Sequence, residues 1–220
     1  MMRLLLILCT ILCTQNIFGQ DSRFSLEPEF QTSFSIVEPT RQSVFIPSTA
    51  VINMPDIMNF RFPVYGASMH INYDLSNHFA LGLGMGVSVA KFENHPLFGG
   101  EYVDQVMVPY TLKLRYKRDI GEKWNFLVDL GGGYQYADQR FGWDGDKFTH
   151  SRKGGPILTA DVGIGRQVGK YTPTLKVGYE YFQFQNKHYY GWIDSDIDPN
   201  ANIVYTTKYH MINVALSVRI

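Results

Sequence analysis

Large apolar residues alternate with small or polar residues along most of the chain. The clearest example is FALGLGMGVSVAKF, residues 79–92, where Leu81, Leu83 and Met85 are separated by single glycines. A period of two is typical of a β-strand, because successive side chains point to opposite faces. The same pattern predicts eight strands, at about 24–37, 62–74, 79–92, 104–118, 123–136, 155–167, 171–184 and 205–220.

The connections between these strands differ in length in a regular way. Three are short polar turns, with the sequences DLSNH, DIGEK and VGK, and four are long, at about 38–61, 92–103, 137–154 and 185–204. Short turns at one end and long loops at the other are typical of outer-membrane barrels. The prediction is an all-β fold: an eight-stranded antiparallel up-and-down transmembrane β-barrel with short periplasmic turns and four long extracellular loops. Ten strands are an alternative, because Ser43–Ile52 could form a further hairpin.

Alternation also occurs in soluble sandwiches and lipocalin-like barrels, so the nature of each face matters. In residues 79–92 the second face contains only Ala, Gly and Ser up to Ala90, which suits the crowded interior of a narrow barrel better than a solvated surface. Aromatic residues lie near strand ends, as in the aromatic girdles of membrane barrels. They are Tyr73, Phe79, Tyr116, Trp124, Tyr134 and Tyr171.

The face opposite the large apolar residues carries charges of both signs. Unpaired charges inside a narrow barrel are very costly, so we expect a network of salt bridges and hydrogen bonds that plugs the lumen. A gated path for protons or ions is the alternative interpretation of the same charges. The residues assigned to this lumen network are Glu27, Glu29, Lys113, Arg115, Asp129, Asp161, Lys176, Glu180 and Arg219.

The N-terminus has the pattern of a secretory signal peptide. Arg3 precedes an apolar run from Leu4 to Cys13, and Gly19 offers a small residue for cleavage. The expected division is a signal peptide over residues 1–19 and a barrel domain over residues 20–220, with cleavage after Gln20 or an uncleaved anchor as alternatives. Both cysteines, Cys9 and Cys13, lie in this segment, so the exported chain is expected to contain no disulfide.

Charge and composition exclude some classes of protein. Removal of residues 1–19 takes away one cation, Arg3, and leaves 19 Lys and Arg against 20 Asp and Glu. This balance gives no indication of nucleic-acid binding. After the N-terminal segment, the sequence has no run of 18 apolar residues, so we expect no membrane-spanning helix.

Few residues suggest chemistry. Asp194, Asp196 and Asp198 begin like a calcium loop, but Pro199 stands where the turn glycine belongs, so they are weak metal candidates. The loops FGWDGD and YGWIDSD share a motif that makes Trp143 and Trp192 possible binding residues or packing residues. No catalytic or cofactor-binding residue and no cofactor is assigned. For an enzyme the candidates are few: His150 beside Ser151, and His95 and His188 on loops.

The C-terminal stretch HMINVALSVRI resembles the last strand of bacterial outer-membrane barrels, which usually ends on an aromatic residue and here ends on Ile220. The exported chain is similar in pattern to the small outer-membrane β-barrel superfamily, as represented by the eight-stranded OmpA-like and OmpX-like barrels. The resemblance implies the outer membrane of a Gram-negative bacterium, contact with its lipid and lipopolysaccharide, and recognition by the barrel-assembly machinery.

The sequence therefore predicts a structural or surface-binding protein whose long loops meet an unidentified ligand or protein partner. A small-solute, porin-like channel is the first alternative. A lipid A-modifying hydrolase or acyltransferase is the second.

Overall fold

The computed structural model describes residues 23–36, 40–46, 63–93, 102–142, 149–189 and 202–220. Strands account for nearly all of these residues, and none of the described segments is a helix long and apolar enough to cross a membrane. The strands are β1 (Phe24–Ser35), β2 (Thr40–Ile46), β3 (Val64–Asp74), β4 (Phe79–Glu93), β5 (Tyr102–Asp119), β6 (Trp124–Gly142), β7 (Thr149–Arg166), β8 (Thr172–Tyr189) and β9 (Asn202–Arg219).

These strands form a closed antiparallel barrel, which confirms the predicted fold class. Neighbouring strands pair in the order β1, β3, β4, β5, β6, β7, β8, β9, and β9 pairs back to β1 from Glu29–Ser217 to Ser35–Met211. Two further backbone hydrogen bonds join Leu26 to Ile220, at 3.2 and 2.9 Å. In this ring of eight strands each strand has a partner on both sides, which is the condition for a sheet to span a bilayer.

The barrel has eight positions around its circumference, although the described residues form nine strands. β2 continues the line of β1 along the same neighbour, with Thr40 opposite Lys208 and Ile46 opposite Asn202. The alternative of ten strands around the barrel is therefore wrong, since the barrel closes with eight and Ser43–Ile46 pairs with β9. The remainder of Ser43–Ile52 lies outside the described residues.

The two faces of each strand follow the predicted alternation. In β4, every odd residue from Phe79 to Val89 is exposed on the outer wall, with Leu83 at 64% exposure, whereas the even residues from Ala80 to Ala90 are buried. The aromatic pairs Phe24–Tyr73 and Phe79–Tyr116 lie at the short-turn end, with ring centroids 4.9 and 5.4 Å apart. The outer wall is thus an apolar band with aromatic residues at its margin, as expected for lipid contact.

Several strands are longer than the sequence pattern indicates. β6 continues to Gly142 and β7 begins at Thr149, so much of the connection predicted at 137–154 is strand. β8 and β9 likewise shorten the connection predicted at 185–204. The hydrophobic alternation of the sequence fades there, but the backbone ladder continues.

The glycines of β4 make room for side chains of the neighbouring strands. A Cβ atom on Gly82 would come within 2.5 Å of Asn72 Oδ1, and one on Gly84 would collide with the ring of His70 and lie 2.8 Å from Thr111 Oγ1. These side chains come from β3 and β5, on either side of β4. The empty face of β4 is therefore where the polar side chains of its neighbours pack.

Substitution of Gly84 tests this packing. Gly84→Ala should lower the free energy of unfolding by about 1–3 kcal/mol, because the new methyl group overpacks the interior against His70. Gly132→Ala is the matched control, since the nearest atom to its Cβ would be Leu158 Cδ2, at 3.3 Å, the flexible end of a side chain, and the next would be Ile157 O, at an ordinary 3.9 Å. Urea titration of both variants refolded into lipid vesicles measures the difference, and equal stabilities would contradict the packing role of Gly84.

Candidate functional site: the charged interior of the barrel

A network of buried charges fills the middle of the lumen. The alternation of the strands directs Glu27 and Glu29 of β1 into the lumen. It also directs three cations and one aspartate inward, namely Lys113 and Arg115 of β5, Asp129 of β6 and Lys176 of β8. Each of these six residues is no more than 6% exposed. Residues far apart in sequence thus meet at one level of the barrel.

Arg115 bridges two carboxylates with its planar guanidinium group. Its Nε and Nη2 atoms donate to Asp129 at 2.6 and 2.7 Å, and its Nη1 and Nη2 atoms donate to Glu27 at 2.5 and 2.9 Å. Both pairs are bidentate, the geometry in which an arginine–carboxylate contact is strongest and most directional. Arg115 therefore ties β5 to β6 beside it and to β1 across the lumen.

Lys176 reaches three carboxylates from the opposite wall. Its Nζ atom lies 2.6 Å from Glu27, 2.5 Å from Glu29 and 3.2 Å from Asp129. Lys113 lies farther out, at 3.5 Å from Glu29 and 3.7 Å from Asp129. Three cations thus face three carboxylates, and each of these six residues has at least one opposite charge within ion-pair distance.

Further polar side chains complete the coordination of these charges. Asn72 donates to Glu27 at 3.1 Å. His70 Nε2 lies 3.0 Å from Ser68 Oγ, 3.5 Å from Lys113 Nζ and 3.6 Å from Glu29. These residues were not predicted to belong to the network, although their inward parity on β3 is visible in the sequence.

Two predicted members, Asp161 and Glu180, are buried but are not salt-bridged. Asp161 accepts a hydrogen bond from Asn213 Nδ2 at 2.9 Å, and Glu180 accepts one from Ser33 Oγ at 2.8 Å. Among the described residues, no cation lies within 4.0 Å of either carboxylate. They lie beside the ion-pair network, held by neutral donors.

Arg219 was assigned to the lumen network, and the structure places it elsewhere. Its guanidinium group is 2.5 Å from Asp74 at the short-turn rim, and its side chain is 21% exposed. The reason is its position at the end of β9, beyond the level that Lys176 and Arg115 reach. Arg219 thus forms a separate ion pair between the ends of β9 and β3.

An apolar layer fills the lumen next to the network, toward the long-loop end. It was not predicted. Phe182 stacks on Tyr209 with ring centroids 4.9 Å apart, and Phe184 meets Phe182 edge-on at 5.3 Å. The sequence feature that could have predicted this layer is the apolar character of the inward residues toward the long-loop ends of β8 and β9. The buried members are Val64, Ala90, Met107, Ala137, Ile157, Phe182, Phe184, Tyr209 and Met211.

A small cavity lies between the network and the barrel wall. Lys113, His70 and Asp161 line it from the inside, and Met85 and Val87 line it at the wall. Next to it the ladder between β4 and β5 is interrupted opposite Pro109, which has no N–H group to donate. The cavity has room for about two water molecules.

The remaining candidates fall mostly outside the described residues. This applies to Trp143, Trp192, Asp194, Asp196, Asp198 and His95. His188 was expected on a loop, but it lies in β8 with its backbone opposite that of His150 in β7, because both strands extend farther than predicted. The described side chains contain no group of three or more His, Cys, Asp or Glu residues arranged to hold a metal ion.

The network predicts a specific pattern of stability changes. Lys176→Met should lower the free energy of unfolding by about 3–5 kcal/mol, because it leaves buried carboxylates without their shared cation. Combining it with Glu27→Gln should cost at least about 1 kcal/mol less than the sum of the single changes.

Double-mutant analysis by urea titration in vesicles measures this coupling. Lys117→Met is the control, since Lys117 is 37% exposed and its contact with Asp119 is 3.8 Å long, so a change within about 0.5 kcal/mol is expected. Strictly additive effects of Lys176→Met and Glu27→Gln would contradict the network.

Comparison with known proteins identifies solved structures with a similar fold. No protein-family model and no curated protein sequence matches the chain. Among solved structures, the outer membrane protein OprG from Pseudomonas aeruginosa is 14% identical, and the match covers 90% of this chain and 99% of that chain with a TM-score of 0.57. Neisserial surface protein A matches at 12% identity over 90% of this chain and 97% of that one, with a TM-score of 0.45.

The outer membrane protein AlkL, solved in lipid bilayers, matches at 15% identity over 92% of both chains, with a TM-score of 0.47. Of these three structures, OprG alone has a TM-score above 0.5, and at 14% identity the likeness concerns the fold. The closed barrel, its apolar outer wall and this likeness agree. The chain is an eight-stranded antiparallel β-barrel with the fold of outer-membrane proteins.

Proposed function

We propose that this protein is an outer-membrane barrel with a closed lumen, and that it acts as a structural or binding protein through its long-loop end. The observation that carries the proposal is the filled interior. The ion-pair network around Lys176 and Arg115 occupies one level, and the apolar layer around Phe182 and Tyr209 occupies the next. A barrel filled at two successive levels is a scaffold rather than a pore.

The length of the strands supports a role at the surface. A tilted strand needs about 9–11 residues to cross a bilayer, whereas β5 to β9 have 18 or 19 residues each. On β8 the outward positions change from Leu175, Val177 and Tyr179 to Gln183 and Gln185 toward the long-loop end. The extra length thus continues the barrel as a polar collar beyond the lipid, which would hold the loops away from the membrane.

Small-solute passage is the alternative that a specific observation favours. The interruption of the β4–β5 ladder at Pro109 and the cavity beside it mark a weak point in the wall. Passage there would require displacement of Lys113 and its carboxylate partners. The lipid-modifying enzyme named as a further alternative gains no support from the described side chains.

The expected partners follow from the proposed location. They are the lipid and lipopolysaccharide of the outer membrane, the barrel-assembly machinery during biogenesis, and an unidentified ligand or protein that meets the loops. A nucleic acid is not among them, since the charge of the chain is balanced.

Conductance distinguishes the two functions. The purified protein, shown to be folded by its altered gel mobility before boiling, should leave the conductance of a planar lipid bilayer at its baseline, because the network and the apolar layer block the lumen. Recordings at potentials of both signs make the measurement. Stable unitary current steps would overturn the closed-lumen proposal and favour the channel.

Cysteine labelling tests the surface role. Residues 20–220 contain no cysteine, so Gln185→Cys near the long-loop end and Glu122→Cys in a short turn provide single reactive sites. A polyethylene-glycol maleimide too large for porins should label Gln185→Cys in intact cells, and Glu122→Cys only after the outer membrane is permeabilised. The reverse pattern would place the loops in the periplasm and end the proposal.

A further inference from the structure

Cations collect on one part of the outer wall, at the short-turn ends of β5 to β8. Arg118 and Arg166 lie at outward positions on β5 and β7, and Lys170 lies in the turn before β8. Farther along the same strands, away from the turns, the outward residues include Leu114, Ile164 and Leu175, which are 44–56% exposed and form part of the apolar band. The cations therefore lie where the lipid tails end and the headgroups begin.

Two of these cations are placed over aromatic rings. Arg166 is opposite Trp124 in the β6–β7 ladder, with its guanidinium carbon 5.4 Å from the ring centroid. Lys170 Nζ lies 5.2 Å from the ring centroid of Tyr171. Trp124 and Tyr171 are themselves 48% and 42% exposed. The rings orient the cations along the wall and leave one side of each cation open.

None of these cations is neutralised by a neighbour. Within the part of the chain that the structure describes, no carboxylate lies within 4.0 Å of Arg118, Arg166 or Lys170. Two other rim cations differ, since Lys117 lies 3.8 Å from Asp119 and Arg219 lies 2.5 Å from Asp74. The aromatic and cationic patch formed by Arg118, Trp124, Arg166, Lys170 and Tyr171 thus has a net positive charge at the lipid margin.

The β5–β8 side of the rim combines cations with aromatic rings. On β1 and β3, farther around the barrel, the outward residues at the same end are the aromatic pair Phe24–Tyr73, whereas Phe79–Tyr116 lies on β4 and β5, next to Arg118. Arg118, Arg166 and Lys170 thus add positive charge to the aromatic margin on this side, which suits a negatively charged headgroup.

We propose that this patch binds the phosphate of an anionic phospholipid in the leaflet next to the short turns. Arginine matches phosphate oxygens with paired N–H donors, and Lys170 supplies a second positive charge. The acyl chains of the same lipid would lie against Ile164 and Leu175. The inference depends on the barrel spanning a membrane and not on the function proposed above.

Quenching of Trp124 by brominated lipid tests this site. The chain has three tryptophans, so a parent with Trp143→Phe and Trp192→Phe retains only Trp124 as the reporter. The parent is refolded into phosphatidylcholine vesicles that contain either dibrominated phosphatidylglycerol or dibrominated phosphatidylcholine. The association constant at Trp124 should be at least about five-fold higher for the anionic lipid, the preference that one cation near a membrane surface provides.

Variants of the patch decide whether it causes that preference. Arg166→Gln/Lys170→Gln should reduce the ratio to about one, and Lys117→Gln should leave it unchanged because Lys117 is paired outside the patch. Should the double variant fail to fold, Arg118→Gln/Lys170→Gln keeps Arg166 over Trp124 and should still reduce the ratio by at least half.

Two results would overturn the proposal. The first is equal association of both lipids with the parent, and the second is an undiminished ratio in the folded patch variants.

Discussion

The ion pairs of Arg115 and Lys176 cross the lumen, and the rest of the interior is arranged around them. Arg115 joins β5 to β1 and β6, and Lys176 joins β8 to β1 and β6 through Glu27, Glu29 and Asp129. Backbone hydrogen bonds connect only adjacent strands, so these side chains are the ties between opposite walls. Substitution of one partner would leave the other charge buried without an opposite charge.

The filled interior also explains the choice of residues on the wall. β4 has no bulky inward side chain between Phe79 and Ala90, because His70, Asn72 and Thr111 from the adjacent strands occupy that space. Toward the long-loop end the interior changes from ion pairs to the packed rings of Phe182, Phe184 and Tyr209. The narrow lumen thus contains the ion pairs at one level along its axis and the aromatic rings at the next, and the small residues of β4 leave space for side chains of the neighbouring strands.

The period of two was enough to predict the strands, their outward faces and eight positions around the barrel. It could not predict which inward charges meet. Contact between two inward charges depends on the position of each residue along the barrel axis, and this position is set by the register of the tilted strands. Asp161 and Glu180 share the inward parity of Lys176 but contact Asn213 and Ser33 instead. The ends of β6 to β9 were also missed, because a backbone ladder above the membrane does not require apolar residues.

Closure of the barrel has a kinetic consequence. Glu29 pairs with Ser217 at the seam between β1 and β9, and its carboxylate meets Lys176 from β8. Before β1 and β9 pair, the sheet is open. Lys176 on β8 is then hydrated and far from Glu27 and Glu29 on β1. Formation of the β1–β9 ladder and removal of water from Lys176 and the two glutamates are therefore the same event. A half-closed intermediate gains neither the last ladder nor the ion pairs of Lys176 with Glu27 and Glu29, so the final step of assembly proceeds completely or reverses.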